Sequence, residues 1–300
     1  MTAERIGKLV VLGVGLIGGS FALALKRSGT TARVVGVGRS RENLLAAERR
    51  GIIDCAVSLD QAWTDELADA DLVLLATPVG QMPSLFAAIA PRLGAHTVIT
   101  DAGSTKRDVI AAARGALGDA LPRFVPGHPI AGTEHSGATA AFEALFRDKQ
   151  VVLTPLAETA PDALSRVKAC WTQCGALVRE LDPLRHDVIF AAVSHLPHAL
   201  AFALMAELAA RPDGDEYFAF AGSGLRDFTR LAGSQAEMWR DVCLANRDAL
   251  RGELTAYTAE LRRVDALLAA ADGQALLRLF ERARSARESW LERTRGGDEV

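Results

Sequence analysis

A glycine-rich loop close to the start of the chain constrains the fold more than any other feature. Residues 13–18 read GVGLIG, follow the apolar run KLVVLG and open an alanine-rich helical stretch. A GxGxxG pattern is weak by itself, but between a strand and a helix it is typical of dinucleotide-binding βαβ units. The first glycine permits the tight turn, the second lets a pyrophosphate approach the backbone, and the third lets the helix pack on the strand. The sequence therefore predicts cofactor contacts from Gly13, Gly15, Leu16, Ile17 and Gly18.

Short β-branched runs alternate with helical stretches through the first half of the 300-residue chain. These runs are continuously apolar, as expected for parallel strands that are covered on both faces. The alternation predicts an α/β fold with a Rossmann-like, doubly wound parallel sheet. The predicted strands are Lys8–Gly13, Arg33–Gly38, Asp71–Thr77, His96–Asp101, Phe124–Gly127, Val151–Thr154 and Ala176–Leu181, and the predicted helices include Ser20–Ser28 and Asn43–Arg50.

After Asp182 the pattern changes to helical spacing alone. His186–Ala210 reads as one long apolar helix interrupted by Pro197, where a bend is expected because proline lacks a backbone N–H. Helical spacing continues from Glu237 to Arg295. We therefore predict a dinucleotide-binding domain over residues 1–182 and an all-α domain over residues 183–300. A helix as apolar as His186–Ala210 needs burial on most sides, which favours a second subunit and a homodimer.

Charge and composition argue against several classes of protein. The net charge of −3 gives no field that would favour nucleic acid or an anionic membrane surface. No uninterrupted apolar run reaches about 18 residues, and the first residues lack a signal-peptide pattern. The four cysteines form no CxxC, and no other ligand completes a metal set around Cys170 and Cys174. We expect a cytoplasmic protein that acts on a small molecule without a bound metal.

The end of the second predicted strand bears on the choice of cofactor. NAD sites usually place a carboxylate there for the ribose 2′-hydroxyl, but Gly38 occupies that position, and Arg39, Ser40 and Arg41 follow. A carboxylate would repel a 2′-phosphate, whereas an arginine can form a bidentate contact with one. The sequence favours NADP, with NAD as the alternative if the arginines are only exposed loop residues.

The segment VPGHPIAGTEH at residues 125–135 holds titratable groups in a constrained backbone. Hydride chemistry with a nicotinamide needs a protein group that handles the accompanying proton, and histidine titrates in the right range. His128 follows a predicted parallel strand at the carboxyl edge, where ligands bind, and Pro126, Gly127 and Pro129 restrict its backbone. His128 is the candidate base, and a structural role is the alternative.

Other polar residues receive less specific expectations. Thr77 and Pro78 end a predicted strand at the nicotinamide crevice, where they either contact the cofactor or form a simple turn. His186 is expected near a helix start, and His195 is interpreted as a packed core histidine. Lys106 is expected to be solvated near the start of a helix, with a phosphate contact as the alternative.

Several segments resemble those of a known enzyme family. VVLGVGLIGGS, ATPV, DAGSTK, GHPIAGTEHSG, SHLPHALA and DFTRLAGSQAEMWRDV occur in this order and at these spacings. Together they resemble the prephenate and arogenate dehydrogenases of tyrosine biosynthesis, from Lys8 to about Asn246. The GHPIAG loop and the DFTR…MW block are specific to that family, whereas the glycine loop is shared with many dehydrogenases.

The resemblance implies roles for residues at the matching positions. It implies that His128 takes the proton of the substrate's C4 hydroxyl as hydride leaves that carbon, and that Ser104 orients both groups. Thr133 and Glu134 would shape the pocket for the substrate side chain. His198 and Arg230 would bind polar groups of the substrate, Arg230 a carboxylate, although Arg226 lies one helical turn earlier and is an alternative clamp.

Three questions stay open at the level of the sequence. Glu134 could pair with the ammonium group of arogenate or point elsewhere, so the choice between prephenate and arogenate is not settled. A β-hydroxyacid-type dehydrogenase is a rival; such enzymes usually rely on a lysine or a His–Glu pair in the helical domain. No lysine follows Lys168, which disfavours the lysine type. A cofactor-binding regulator without catalysis is the second rival, but it would not need Ser104, His128 and Arg230 together.

Overall fold

The computed structural model describes residues 5–133 and 135–295. Its largest element is a six-stranded parallel sheet with the strand order β3-β2-β1-β4-β5-β6, which confirms the Rossmann-like prediction. The other sheet has three strands in the order β7-β8-β9. The strands are β1 Ile6–Leu12, β2 Thr31–Gly38, β3 Cys55–Ser58, β4 Leu72–Leu75, β5 Val98–Asp101, β6 Phe124–Val125, β7 Gly127–Pro129, β8 Gln150–Leu153 and β9 Leu177–Glu180.

The parallel sheet is buried on both faces, as its continuous apolar runs predict. Leu9 and Val11 of β1 join a cluster with Phe21, whereas Val10 of the same strand joins the opposite cluster with Phe86. Successive strand residues point to opposite faces, so a single strand supplies side chains to both clusters. The helices of this half are α1 Leu16–Arg27, α2 Arg41–Arg49, α3 Met82–Ile89, α4 Arg107–Ala116 and α5 Pro161–Gln173.

The observed strands differ from the predicted ones in two places. β3 is absent from the prediction, because its four residues form only a short apolar run that begins with Cys55 and ends with Ser58. The predicted strand Phe124–Gly127 divides at Pro126 into β6, which is parallel to β5, and β7, which is antiparallel to β8. Proline cannot donate a ladder hydrogen bond, so the chain leaves the large sheet there. His128 therefore lies within a short antiparallel strand, and not just beyond a parallel one.

A long helical stretch follows β9 and changes its hydrogen bonding midway. α6 Pro183–Phe190 passes into a π-helical turn, Ala191–His195, and then into α7 Leu196–Ala209. The π turn lies directly before Pro197, whose missing N–H and bulky ring are incompatible with a regular helix at this point. The π turn ends two residues before Pro197, which lies in the first turn of α7. The bend expected at Pro197 itself stays a prediction.

The same stretch is unusually apolar for its degree of burial. The most apolar 18-residue window of Pro183–Ala209 has a mean hydropathy of 1.8, and 22% of that window is buried within the chain. By length and composition alone, the stretch would suit a membrane span. α8 Gly214–Ala219, α9 Ser223–Thr229 and α10 Ala236–Ala245 follow it. α10 contributes Trp239 to the cluster that covers one face of the parallel sheet.

The chain divides into two compact units, residues 1–247 and 248–300. Everything described above belongs to the first unit. The second consists of two long helices, α11, which begins at the boundary (Arg247–Ala269), and α12 Gly273–Arg295. Both carry exposed apolar side chains, including Leu261, Leu268 and Phe280.

Candidate active site

The glycine loop has the geometry that a dinucleotide requires. Gly13 has φ +97°, and a Cβ there would lie 2.5 Å from the carbonyl oxygen of Ala76 just after β4. A Cβ on Gly18 would lie 2.3 Å from the carbonyl oxygen of Gly13, so this glycine lets α1 pack on β1. A Cβ on Gly15 would meet nothing within 4 Å. The open space at Gly15 is where a pyrophosphate would approach the backbone.

The start of α1 is suited to bind an anion. Gly15 caps the helix without a side-chain hydrogen bond, and the first turn holds no acidic residue. The first amides of the helix, at Leu16 and Ile17, are therefore not satisfied by a capping side chain. The hydroxyl of Thr77, beside Gly13, is buried without a hydrogen-bond partner in the part of the chain that the structure describes. These features fit a bound dinucleotide, which they would hold at the carboxyl edge of the sheet.

The end of β2 presents two arginines to solvent. Gly38 is the last residue of β2, and Arg39 and Arg41 are exposed, with no carboxylate partner among the described residues. The hydroxyl of Ser40 accepts a hydrogen bond from the amide of Asn43 (3.2 Å) and so caps α2. Ser40 therefore has a structural role in addition to the predicted one.

A buried ion pair fixes the backbone just before His128. Lys106 Nζ donates to Asp101 Oδ2 and to the carbonyl oxygen of Gly127, both at 2.5 Å, and both charged side chains are fully buried. Asp101 Oδ1 accepts from the amide of Gly127 at 3.1 Å. The expectation that Lys106 is solvated is therefore wrong. The charge of Lys106 can be buried because Asp101 neutralises it and the carbonyl oxygen of Gly127 accepts a hydrogen bond from its Nζ.

His128 belongs to a chain of three hydrogen-bonded side chains. His128 Nδ1 lies 2.9 Å from His186 Nε2, and His186 Nδ1 lies 2.8 Å from Asp187 Oδ1. Asp187 also accepts hydrogen bonds from the amides of Lys106 (2.9 Å) and Arg107 (3.0 Å) at the start of α4. No described residue bonds to His128 Nε2, so this nitrogen is available to a ligand.

Burial and neighbouring charges hold both histidine rings neutral. Burial first, and then the charges of His186, Lys106 and His195, lower the pKa of His128 well below 6.5. Burial also lowers the pKa of His186, although its bond to Asp187 opposes the effect. Burial would raise the pKa of Asp187, but the hydrogen bonds that it accepts outweigh burial and lower the pKa. Asp187 is thus ionised while both rings are uncharged.

His195, from the π turn, is a second buried ring beside this chain. Its Nδ1 lies 3.2 Å from the side-chain amide of Asn246, which also donates to the carbonyl oxygen of Asp187 (2.7 Å). Burial lowers the pKa of His195 to about 4. The packed position agrees with the expectation for His195, but its Nε2 is buried without a partner among residues 5–133 and 135–295.

The predicted orienting residue, Ser104, lies in the loop between β5 and α4. Its side chain is half-buried, and the structure describes no hydrogen bond from its hydroxyl to His128 or to another described residue. Burial lowers the pKa of His195, and the nearby backbone of Ser104 opposes that shift. The role of Ser104 toward the substrate hydroxyl stays a prediction.

The predicted substrate ligands lie on the helical side of the site. His198 donates from Nδ1 to the carbonyl oxygen of Ser194 (2.9 Å), and its ring stacks on Trp239 with centroids 3.4 Å apart. Burial is the main cause of a lowered pKa of His198, and the positive charge of Arg230 adds to it. The structure thus brings His198 and Arg230 together. Thr133 is exposed, and Glu134 lies outside the described residues.

Sequence reasoning missed the groups that support the base. His186 is the fourth residue of α6, near the helix start as expected, but its contact with His128 spans 58 residues along the chain. One available signal was the His-Asp pair at the start of an otherwise apolar helix, because a carboxylate in such a place must be paired. The Asp101–Lys106 pair is a second example, because a buried lysine also needs a charged partner.

Hydride transfer to a nicotinamide requires a proton acceptor nearby, and His128, whose Nε2 has no partner among the described residues, is the candidate for that role. The glycine loop has the geometry of a dinucleotide site. The chain is therefore of the class of nicotinamide-nucleotide-dependent dehydrogenases. Family models narrow the class: "Prephenate dehydrogenase, nucleotide-binding domain" matches residues 21–180, and "Prephenate dehydrogenase, dimerization domain" matches residues 182–282. The chain belongs to the prephenate dehydrogenase family.

Individual relatives agree with this assignment. The chain is 33% identical to the cyclohexadienyl dehydrogenase of Zymomonas mobilis, over 93% of this chain and 94% of that protein. It is 33% identical to the prephenate dehydrogenase of Bacillus subtilis, over 96% of this chain and 77% of that protein.

Solved structures give the same result. The structure of Aquifex aeolicus prephenate dehydrogenase in complex with hydroxyphenyl propionate and NAD+ matches with a TM-score of 0.89 at 33% identity, covering 96% of this chain and 99% of that one. Synechocystis arogenate dehydrogenase matches with a TM-score of 0.77 at 29% identity, covering 94% and 99%.

Proposed function

We propose that the chain catalyses the oxidative decarboxylation of prephenate, arogenate or both, to 4-hydroxyphenylpyruvate or tyrosine, with NAD(P)+ as the hydride acceptor. The observation that carries the proposal is the state of His128. Its ring is buried and neutral, its Nδ1 is engaged by His186, and its Nε2 has no partner among the described residues. A neutral ring with one open nitrogen is what a general base needs.

For this reaction, the protein mainly has to position the substrate and to provide one proton acceptor. A bound nicotinamide ring would supply the electron sink for the hydride that leaves C4 of the substrate. His128 accepts the proton of the C4 hydroxyl, so that a carbonyl forms at C4 as the hydride departs. Loss of CO₂ from C1 then makes the ring aromatic, which draws the reaction forward. The protein's contribution is to hold the substrate hydroxyl against the base and to exclude water around them.

The substrate's polar groups are assigned to residues around this base. Arg230 binds a carboxylate, with its guanidinium fork matched to the two oxygens. His198, which Trp239 holds by stacking, contacts a second polar group of the substrate. Ser104 orients the C4 hydroxyl, and Thr133 and Glu134 shape the side-chain end of the pocket.

NADP is proposed as the preferred cofactor. The support is the missing carboxylate at Gly38 together with the two exposed arginines beyond it, which are free to meet a 2′-phosphate. Arg39→Ala should raise the KM for NADP+ and leave the KM for NAD+ unchanged, with Arg49→Ala on α2 as the matched control. Equal effects of Arg39→Ala on both cofactors, or a wild-type preference for NAD+, would reject the assignment.

The assembly is proposed to be a cytoplasmic homodimer. Its domains are a dinucleotide-binding domain over residues 1–182 and a helical substrate and dimerisation domain over residues 183–300. The apolar stretch Pro183–Ala209, which is little buried within one chain, supports this proposal.

One assay tests the reaction. Purified protein is mixed with NADP+ or NAD+ and with prephenate or arogenate, while the absorbance of the reduced nicotinamide is followed. Turnover with either substrate, with the aromatic product identified by mass spectrometry, supports the proposal. Reduction of the cofactor by β-hydroxyacids instead, or no reduction with any substrate, would reject it in favour of the rival dehydrogenase or the non-catalytic regulator.

A further inference from the structure

The Nδ1 side of His128 is enclosed, unlike its Nε2 side. His186, which is fully buried, faces it at 2.9 Å, and Phe190 packs its ring against both imidazoles, with centroid distances of 4.7 Å and 4.5 Å. The only side chain that reaches the His128 ring by a hydrogen bond, within the described part of the chain, is therefore on α6. His128 is thus one end of a line of three hydrogen-bonded side chains, those of His128, His186 and Asp187.

The carboxylate of Asp187, at the far end of this line, determines which nitrogen of each histidine ring carries a hydrogen atom. Asp187 is anchored as an acceptor, because two backbone amides at the start of α4 donate to its carboxylate oxygens. An ionised carboxylate only accepts, so His186 must donate to it from Nδ1–H. A neutral His186 then has its lone pair on Nε2 and accepts from His128 Nδ1–H. The lone pair of His128 is consequently on Nε2, the open nitrogen.

We propose that His186 and Asp187 are positioning residues that hold His128 as its Nδ1–H tautomer and balance the positive charge that His128 acquires when it takes the substrate's proton. The proposal rests on the proposed function of His128 as the proton acceptor. It assigns to α6 a part in the reaction that is distinct from substrate binding. A single tautomer matters because the other one would place a hydrogen atom, and not a lone pair, against the substrate hydroxyl.

Protons and electrons balance in this scheme. The hydroxyl proton passes to His128 Nε2, the electron pair of that O–H bond forms the C4 carbonyl, and the hydride leaves C4 with its own electron pair. His128 is then an imidazolium whose Nδ1–H still donates to His186 Nε2, while Asp187 supplies the compensating negative charge. When the bond from C1 to CO₂ breaks, its electron pair enters the ring and reaches the C4 oxygen, which takes the proton back from His128.

The first experiment reads the tautomer without any turnover. Protein labelled with ¹⁵N at histidine, in complex with its cofactor, is examined by two-bond ¹H–¹⁵N correlation spectra, and His128→Asn identifies the signals of that ring. We expect Nδ1 protonated and Nε2 unprotonated in the wild type, and also in Phe190→Leu, which alters packing around both rings but removes no hydrogen bond. A wild-type ring protonated on Nε2 would overturn the proposal.

The second experiment separates positioning from packing. The His186→Gln variant keeps an acceptor near the place of Nε2, whereas His186→Phe fills the site without one. We expect kcat to fall by about 10–100-fold in His186→Phe, the equivalent of one hydrogen bond to a charged group, with KM for substrate and cofactor little changed. His186→Gln should recover much of that loss. Equal losses in both variants, or near-normal kcat in His186→Phe, would overturn the proposal.

A third experiment distinguishes a slower chemical step from a loss of folded protein. With substrate deuterated at C4, His186→Phe should show a larger isotope effect on kcat than the wild type, because a weaker base makes the chemical step slower relative to product release. An unchanged isotope effect alongside a lowered kcat would indicate a loss of folded protein and count against the proposal. The tests of the reaction itself stay separate: a wild type inactive with prephenate and arogenate would end the proposed function, whereas the tautomer is measured without either substrate.

Discussion

At the residue scale, His128 combines a buried ring with one open nitrogen, and the two features limit its chemistry. Burial keeps the ring neutral at any pH near 7, because its pKa lies well below 6.5. If His128 is the base, as proposed, its low pKa would favour return of the proton to the product oxygen. The ring is therefore ready for each cycle without a change of solvent pH.

Replacing the base tests this assignment directly. His128→Asn should lower kcat by about 10²–10⁴-fold, the usual contribution of a general base, while cofactor affinity stays near the wild-type value. Steady-state assays and quenching of protein fluorescence by the cofactor measure the two effects. His96→Asn is the matched control, because that side chain is 59% exposed and lies at the opposite end of β5 from the loop that holds Ser104. Near wild-type turnover in His128→Asn would contradict the assignment.

Arg230 should act on binding more than on chemistry. Arg230→Ala removes the proposed carboxylate clamp, so we expect KM for the substrate to rise while kcat changes less. Arg278→Ala on α12 serves as a control in a different helix, where the arginine is exposed. An unchanged KM in Arg230→Ala would shift the clamp to Arg226, which the sequence leaves as the alternative.

The sequence could single out His128 as the candidate base, but it could not show which side chains hydrogen-bond to it. The prolines and glycines that flank His128 in the chain are visible in the sequence, and they signal a constrained backbone directly. His186 hydrogen-bonds to it from 58 residues away, and α6 is held there by its packing against α4. Local patterns contain no information about such a contact, and a buried lysine such as Lys106 looks like any surface lysine until its carboxylate partner is located.

At the element scale, the glycine loop separates folding from cofactor binding. Gly18→Ala should destabilise the protein by about 1–3 kcal/mol, since the added methyl group would overlap a backbone carbonyl that cannot move away. Gly15→Ala meets no protein atom and should cost no more than about 1 kcal/mol, yet it should weaken cofactor binding strongly. Urea unfolding and cofactor titration distinguish the two effects. If Gly18→Ala and Gly15→Ala had the same free energy of unfolding, the two glycines would not have the separate roles expected here.

The helical stretch from α6 to α7 should make the protein sensitive to acid. His186, His195 and His198 lie on it, and the pKa of each is lowered. The unfolded chain protonates these rings below a pH of about 6.5, while the folded chain does not, so stability falls as the pH drops. For His195 the loss continues to a pH of about 4, where its folded pKa lies. Each ring contributes at most about 1.4 kcal/mol per pH unit.

Urea unfolding between about pH 5 and pH 7.5 measures this dependence, within the window that follows from the shifts. His195→Gln should flatten the curve, because one ring that resists protonation is gone. His96→Gln should leave the slope unchanged, since that ring is exposed. A wild-type stability that does not vary over this range would show that the rings do not control it.

The fold was easier to predict than the site because its signals are local. Apolar runs revealed β1, β2 and β4, but no sequence signal indicated the π turn in the long helix. β3 was missed because four residues carry too little pattern, and the separation of the small sheet was missed because pairing between β7 and β8 is decided by residues far apart in the chain.

At the scale of the whole molecule, the apolar stretch Pro183–Ala209 should be covered by a second copy of the chain. Val193 is 65% exposed and Leu184 55%. Val193→Asp would bury an unpaired carboxylate in that interface, so we expect the dissociation constant of the dimer to rise by about 100-fold or more. Sedimentation velocity over a dilution series measures it, with Val193→Ala as the milder control. A wild type that stays monomeric at high concentration would reject the dimer.

The same helical stretch bears His186 on an inner face and bare apolar residues on an outer one. A substitution selected for its effect on assembly would therefore shift the support of the base at the same time, and the two traits would be inherited together. The nucleotide loop shares no residue with that stretch. Under the proposed dimer and the proposed role of His186, we expect quaternary structure and turnover to change together over evolutionary time, whereas cofactor preference can vary independently of both.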